Sequence, residues 1–219
     1  MPDGPTLELN DRKTAMYRVA AGLVAILARV MFRPSVVGVE NIPESGPVLI
    51  APIHRSNVDF AFTLFISKRK VFFMAKDSLF KVPMLGTLLR HLGAFPVRRG
   101  AADRESLTLA TEVLRQGHAL VLFPEGTRKF GLTVEPLHDG AMFIAARTGA
   151  SVVPVGVGGS ERALPPGARI PRPTKIRLVV GAPISPPSGE GRPSRSAITA
   201  KSEELRRELQ VVYRQSMYL

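Results

Sequence analysis

At 219 residues, with 45% hydrophobic side chains and no cysteine, the chain can bury a full core, which excludes disorder over most of its length, disulfide crosslinks and thiol catalysis. Lys and Arg number 30 against 18 Asp and Glu, and the resulting net charge of +12 calls for a polyanionic partner. Aromatic residues make up only 6%, and no zinc-finger, RNA-recognition or basic-zipper pattern is present, so nucleic acid gives way to an anionic membrane surface or a phosphorylated substrate.

The first element is an apolar helix inside residues 11–34. Its uninterrupted apolar part, Val19 to Ala28, is short of the ~20 residues of a membrane span. Arg12, Lys13, Arg18, Arg29 and Arg33 bracket it, the pattern of an amphipathic helix lying in the headgroup plane with snorkelling cations. A polar stretch precedes it and no small-residue cleavage site follows, unlike a signal peptide. An ordinary helix capping the core has the same appearance.

Beyond Pro34, β-rich runs alternate with helical patterns. The strands are expected at Ser35–Val39, Pro47–Ile53, Val71–Ala75, Ala94–Val97, Ala119–Phe123, Val152–Val157 and Lys175–Val180. Helices are expected at Val58–Ser67, Pro83–Leu92, Asp103–Gln116 and Gly140–Thr148, with a last one from Ser196 onward. Gly93, Gly117 and Gly149 stand where helices end, and Asp139 stands at an N-cap. Proline-rich loops are expected at 162–173 and 183–193. The pattern predicts an α/β fold: one domain at 35–219, with a mostly parallel, mixed sheet of about seven strands between helices, preceded by the membrane-associating helix of residues 1–34.

Such sheets gather ligand chemistry at the carboxyl ends of their strands. There, after the second strand, stand His54 and, five positions on, Asp59 at a helix start. The carboxylate can reach Nδ1 of the imidazole and leave Nε2 as a base, although a surface histidine beside a helical aspartate has the same spacing. No G-x-S-x-G elbow supplies a serine, so the attacking hydroxyl is expected to come from a substrate. His91, His118 and His138 are scattered, and no metal site is expected. After the fourth strand come Arg98 and Arg99, donors for a phosphate or a solvated basic turn. After the fifth come Glu125, Gly126, Thr127 and Arg128: a guanidinium for phosphate, and a carboxylate to orient it or to accept from a substrate hydroxyl. The small residues of 152–159 leave room for an alkyl chain or for core packing.

The blocks His54-x4-Asp59, Gly93-Ala-Phe-Pro-Val-Arg-Arg99, Phe123-Pro-Glu-Gly-Thr-Arg128 and Val152-Val-Pro-Val155, in that order, resemble those of the glycerolipid acyltransferases, especially the bacterial 1-acylglycerol-3-phosphate acyltransferases. The resemblance covers residues 35 to 182, with Ile53 where many members carry Asn before the histidine. It implies His54 as general base and Asp59 as its orienter. It also implies Arg98, Arg99 and Arg128 as phosphate ligands, with Glu125, Gly126 and Thr127 shaping the acceptor site. The implied partners are an acyl-CoA or acyl-carrier-protein donor, a lysophospholipid acceptor and the cytoplasmic face of an anionic membrane, with no cofactor and no nucleic acid. Glycerol 3-phosphate or another lysophospholipid as acceptor, a thioesterase-like hydrolase and a non-catalytic lipid-binding module are the competing readings.

Overall fold

The computed structural model describes residues 15–97, 104–165, 167–168, 170–187 and 193–218. The strands are β1 (Ser35–Val37), β2 (Val48–Pro52), β3 (Val71–Lys76), β4 (Ala94–Val97), β5 (Ala119–Val121), β6 (Ser151–Gly158) and β7 (Arg177–Val180). They form one sheet in the order β1-β7-β6-β2-β5-β3-β4. Every pairing is parallel except β6 with β7, so the sheet is mixed as expected. The central strand β2 is buried at every position, which is why it reads as an unbroken apolar run.

Helices α1 (Ala15–Phe32), α2 (Asp59–Ile66), α3 (Pro83–His91), α4 (Arg104–Arg115), α5 (Gly140–Thr148), α6 (Ser160–Ala163) and α7 (Arg195–Met217) cover the sheet. Gly149 closes α5 at φ 70°, a left-handed conformation that residues with a Cβ adopt at a cost. Asp139 does occupy the N-cap of α5, but its side chain makes no cap there. It accepts instead from Thr199 Oγ1 of α7 at 3.0 Å, tying the two helices together.

The small residues of β6 make room for a helix. A Cβ on Gly156 or Gly158 would strike the carbonyl oxygens of Val212 or Ser216, because the α7 backbone lies directly on this strand. Close helix–sheet approach, rather than an alkyl chain, fills that space.

Helix α1 extends beyond the Val19–Ala28 stretch to 18 residues, with mean hydropathy 1.6, and by length and composition it is long and apolar enough to cross a membrane. One of its faces is spent on the domain: Ala28 and Phe32 are in the core, with Ala20, Ala21, Val24 and Met31 packed against it. The opposite face exposes Met16, Val19, Leu23, Ile26, Leu27 and Val30, an apolar stripe at helical spacing with no covering element among the described residues.

Candidate active site

The sequence delivers His54 two residues past the end of β2, and α2 begins at Asp59. The chain between them turns back tightly around one carboxylate oxygen. Asp59 Oδ2 accepts from His54 Nδ1 at 2.9 Å and from the backbone N–H groups of Arg55 and Ser56, both at 2.7 Å. Asp59 is 2% exposed, so this loop is shaped around a buried acceptor. A carboxylate only accepts, so Nδ1 carries the proton of their bond and Nε2 presents its lone pair. Nε2 has no hydrogen-bond partner among the described residues, and the imidazole side chain keeps 15% of its surface in solvent. The ring lies on Phe123, centroids 4.2 Å apart at 28°, so one face is held by an aromatic platform.

The block after β5 reaches this loop because β5 is β2's neighbour in the sheet. Lys129 N–H donates to the His54 carbonyl at 2.9 Å, which places the exposed Arg128 one residue from the His54 backbone. Gly126 turns with φ 70°, and a Cβ there would meet the imidazole of His138, which therefore sits over this turn. Thr127 is exposed beside it.

Glu125 stands differently from its sequence-based expectation. It is 1% exposed, and its oxygens are committed to the His54 backbone and to Arg55. Oε2 accepts from His54 N–H at 3.0 Å, while Arg55 Nη1 donates to Oε2 at 2.7 Å and to Oε1 at 3.0 Å. Among the described residues it accepts nothing from Arg128, so it neither orients that guanidinium nor faces a substrate hydroxyl. It acts on the site through the fold, by holding the His54–Arg55 segment.

Arg55, which carries no motif of its own in the sequence, is among the largest fully buried side chains of the described residues. Besides Glu125 it reaches the carbonyls of His54 at 3.2 Å and Thr133 at 3.1 Å, and its guanidinium lies 5.0 Å from the centroid of the Tyr213 ring. Burial pushes the Tyr213 hydroxyl pKa above its ordinary value, helped by the negative charge of Glu161, and the hydroxyl donates to the Gly131 carbonyl at 3.2 Å. A cation buried this deeply is stable only when paired and hydrogen-bonded, and here both conditions hold. The signal that identifies it is its position immediately after the histidine, which matters only once Glu125, 70 residues away, is known to meet it.

Ser56, the hydroxyl nearest in sequence, is 1% exposed and donates to the Leu164 carbonyl at 3.3 Å. It is placed as a tether to the proline-rich loop, not as a nucleophile. The N–H groups of Arg55 and Ser56 are likewise spent on Asp59 and do not remain for an oxyanion.

Arg98 and Arg99 lie outside the described residues. The strand that leads to them, β4, is three strands from β2, roughly 14 Å at ordinary strand spacing. Among the described residues no group of His, Asp or Glu is arranged to hold a metal ion.

The chain matches the family model described as Acyltransferase over residues 33–158, which spans the His54 loop, β5 and the turn at Glu125. A 1-acyl-sn-glycerol-3-phosphate acyltransferase of Bacillus subtilis is 28% identical over 193 residues, 87% of this chain and 93% of that protein. The chloroplastic 1-acyl-sn-glycerol-3-phosphate acyltransferase BAT2 of Brassica napus is 29% identical over 157 residues. That match takes in 70% of this chain but 45% of the plant protein, so the chain spans about half the length of such relatives. Among solved structures, the 1-acyl-sn-glycerophosphate (LPA) acyltransferase PlsC of Thermotoga maritima superposes with a TM-score of 0.75 at 27% identity. That superposition covers 95% of this chain and 83% of the other.

Proposed function

Because this chain belongs to the acyltransferase family, we propose that it moves a fatty acyl group from an acyl-CoA or acyl-carrier-protein thioester to the free hydroxyl of 1-acyl-sn-glycerol 3-phosphate, giving phosphatidic acid. The observation that carries this reading is the 2.9 Å contact between His54 Nδ1 and a buried Asp59, which leaves Nε2 without a partner among the described residues.

In this reading His54 Nε2 takes the acceptor's hydroxyl proton as the oxygen attacks the thioester carbonyl carbon. Asp59 holds the ring in the required tautomer and stabilises the imidazolium. When the C–S bond breaks, the imidazolium returns the proton to the departing sulfur, so charge balances and no acyl-enzyme forms. The burial of Ser56 supports a nucleophile brought by the substrate. Arg128 takes the acceptor phosphate, with Arg98 and Arg99 as further ligands and with Gly126 and Thr127 shaping the turn beneath it. Arg55 and Glu125 are positioning residues that hold the His54 backbone.

The site works at the cytoplasmic face of a membrane, where both amphiphilic substrates reside. The exposed stripe of α1 enters the interface, and the cations Arg18 and Arg29 flank it at headgroup level. Docking of the other face on the domain supports a helix that lies along the surface and does not cross it.

The reading is tested by thiol release from palmitoyl-CoA and from palmitoyl-acyl-carrier protein, each with no acceptor, with lysophosphatidic acid and with glycerol 3-phosphate. Release that depends on lysophosphatidic acid is expected. Equal release without acceptor would make the protein a hydrolase, and preference for glycerol 3-phosphate would move it to a different acceptor. No release from either donor type would leave only lipid binding.

A further inference from the structure

A cationic cleft opens where β6 ends and β1 and β7 begin, at the same end of the sheet as His54 but displaced from it across the strands. The strand register places Ser35, Arg177 and Gly158 side by side across β1, β7 and β6. Around them is a cleft of about 510 Å³ whose lining includes Arg33, Arg162, Lys175 and Arg177. These four cations come from four different parts of the chain: the end of α1, the short helix α6, the loop before β7 and β7 itself.

Among the described residues none of the four makes an ion pair or hydrogen bond through its charged group, and the buried Nε of Arg177 has no acceptor at all. Glu161 is adjacent to Arg162 in sequence but does not line the cleft, and its carboxylate makes no ion pair with any of the four cations. The end of α7, at Ser216 and Met217, does line it, and a helix C-terminus supplies only about half a negative charge against four positive ones. Arg33 also holds φ 40°, the one non-glycine with positive φ among the described residues, a conformation that side chains with a Cβ adopt at a cost. Like charges gathered in a concavity, with no counter-charge among the described residues, form an anion site.

We propose that this cleft is a second phosphate-binding site, distinct from the one at Arg128. It lies roughly 10 Å across the sheet from the end of β2, two strand spacings away. It also adjoins the reacting loop, since Leu164, just after α6, accepts from Ser56. Phosphate reaches such a place from two sources: the nucleotide end of a thioester donor, or the headgroup of an anionic phospholipid. The loop that carries Thr174 and Ile176 hydrogen-bonds to the Met31 and Phe32 carbonyls, so the cleft is anchored to the end of the apolar helix. The site stands on these cations and does not depend on His54 acting as a base.

Titration calorimetry of the full chain at low salt tests it, with adenosine 3′,5′-bisphosphate and dihexanoyl phosphatidate as separate probes. The Arg128→Gln background silences the other phosphate site, and Arg162→Gln/Lys175→Gln is added to it, with unchanged unfolding midpoints as the folding control. At least one probe is expected to bind the background protein, and its affinity to fall about tenfold or more when the two exposed cations are removed. Loss confined to the bisphosphate assigns the cleft to the donor, and loss confined to phosphatidate assigns it to lipid. Binding of both probes unchanged by the added substitutions, or of neither probe before them, overturns the proposal.

Discussion

Replacing Glu125 by alanine separates two accounts of the turn after β5. If Glu125 faced the acceptor, its loss would raise the acceptor KM and leave stability near wild type. In the structure it is buried against Arg55 and His54 N–H, so its loss strands a guanidinium and a backbone donor in the interior. Breaking one side of a buried ion pair costs about 3–5 kcal/mol, out of a total stability of about 5–15 kcal/mol. At roughly 2–4 °C per kcal/mol for a domain of this size, the unfolding midpoint should fall by roughly 6–20 °C. Because the same carboxylate fixes the His54 backbone, kcat should fall while the acceptor KM changes little. The paired change Arg55→Met/Glu125→Leu should regain much of the stability, since it removes both charges, but not the rate. Calorimetric unfolding together with steady-state thiol release reads both quantities. A Glu125→Ala protein with a wild-type midpoint and a raised acceptor KM would refute the clamp and restore a direct contact with substrate.

Asp59→Asn should keep the loop's hydrogen-bond pattern but favour the wrong imidazole tautomer, lowering kcat by roughly 10²–10⁴ at an unchanged acceptor KM; a wild-type kcat would show that the tautomer is set by another group. Arg128→Ala should raise the KM for lysophosphatidic acid and spare a phosphate-free monoacylglycerol, whereas equal losses for the two would indicate a structural role. Leu23→Gln/Ile26→Gln on the exposed stripe of α1 should weaken flotation with anionic vesicles without moving the unfolding midpoint, and unaltered flotation would place the membrane contact elsewhere. Gly156→Ala should destabilise by about 1–3 kcal/mol or more in chemical unfolding, because α7 must withdraw from β6; a neutral result would mean that helix is not seated on the strand.

The sheet was legible because parallel strands buried on both sides read as apolar runs, and β2, β3, β4 and β6 appear within a residue or two of their expected bounds. The reversed direction of β7 and of its parallel neighbour β1 was not legible, since an apolar run looks the same either way along the chain. His54 and Asp59 were legible because only five residues separate them, and the structure joins them directly. Arg55 and Glu125 were not, because a cation and a carboxylate far apart in sequence read as two solvated charges until the fold closes β5 against β2. The glycines of β6 announced a vacancy without naming its occupant, which comes from residues more than fifty positions downstream, in a helix whose own pattern is mostly polar. The span-like length of α1 was missed because charges at its ends hid how far the helix continues beyond its central apolar run.

Measuring kcat for acceptor-dependent thiol release by His54→Ala, with the unfolding midpoint recorded on the same preparation, bears most directly on the chemistry. Loss of a positioned base should cost at least ~10²-fold in kcat while the midpoint stays at the wild-type value. A folded His54→Ala protein turning over at the wild-type rate would mean that this imidazole takes no proton from the acceptor.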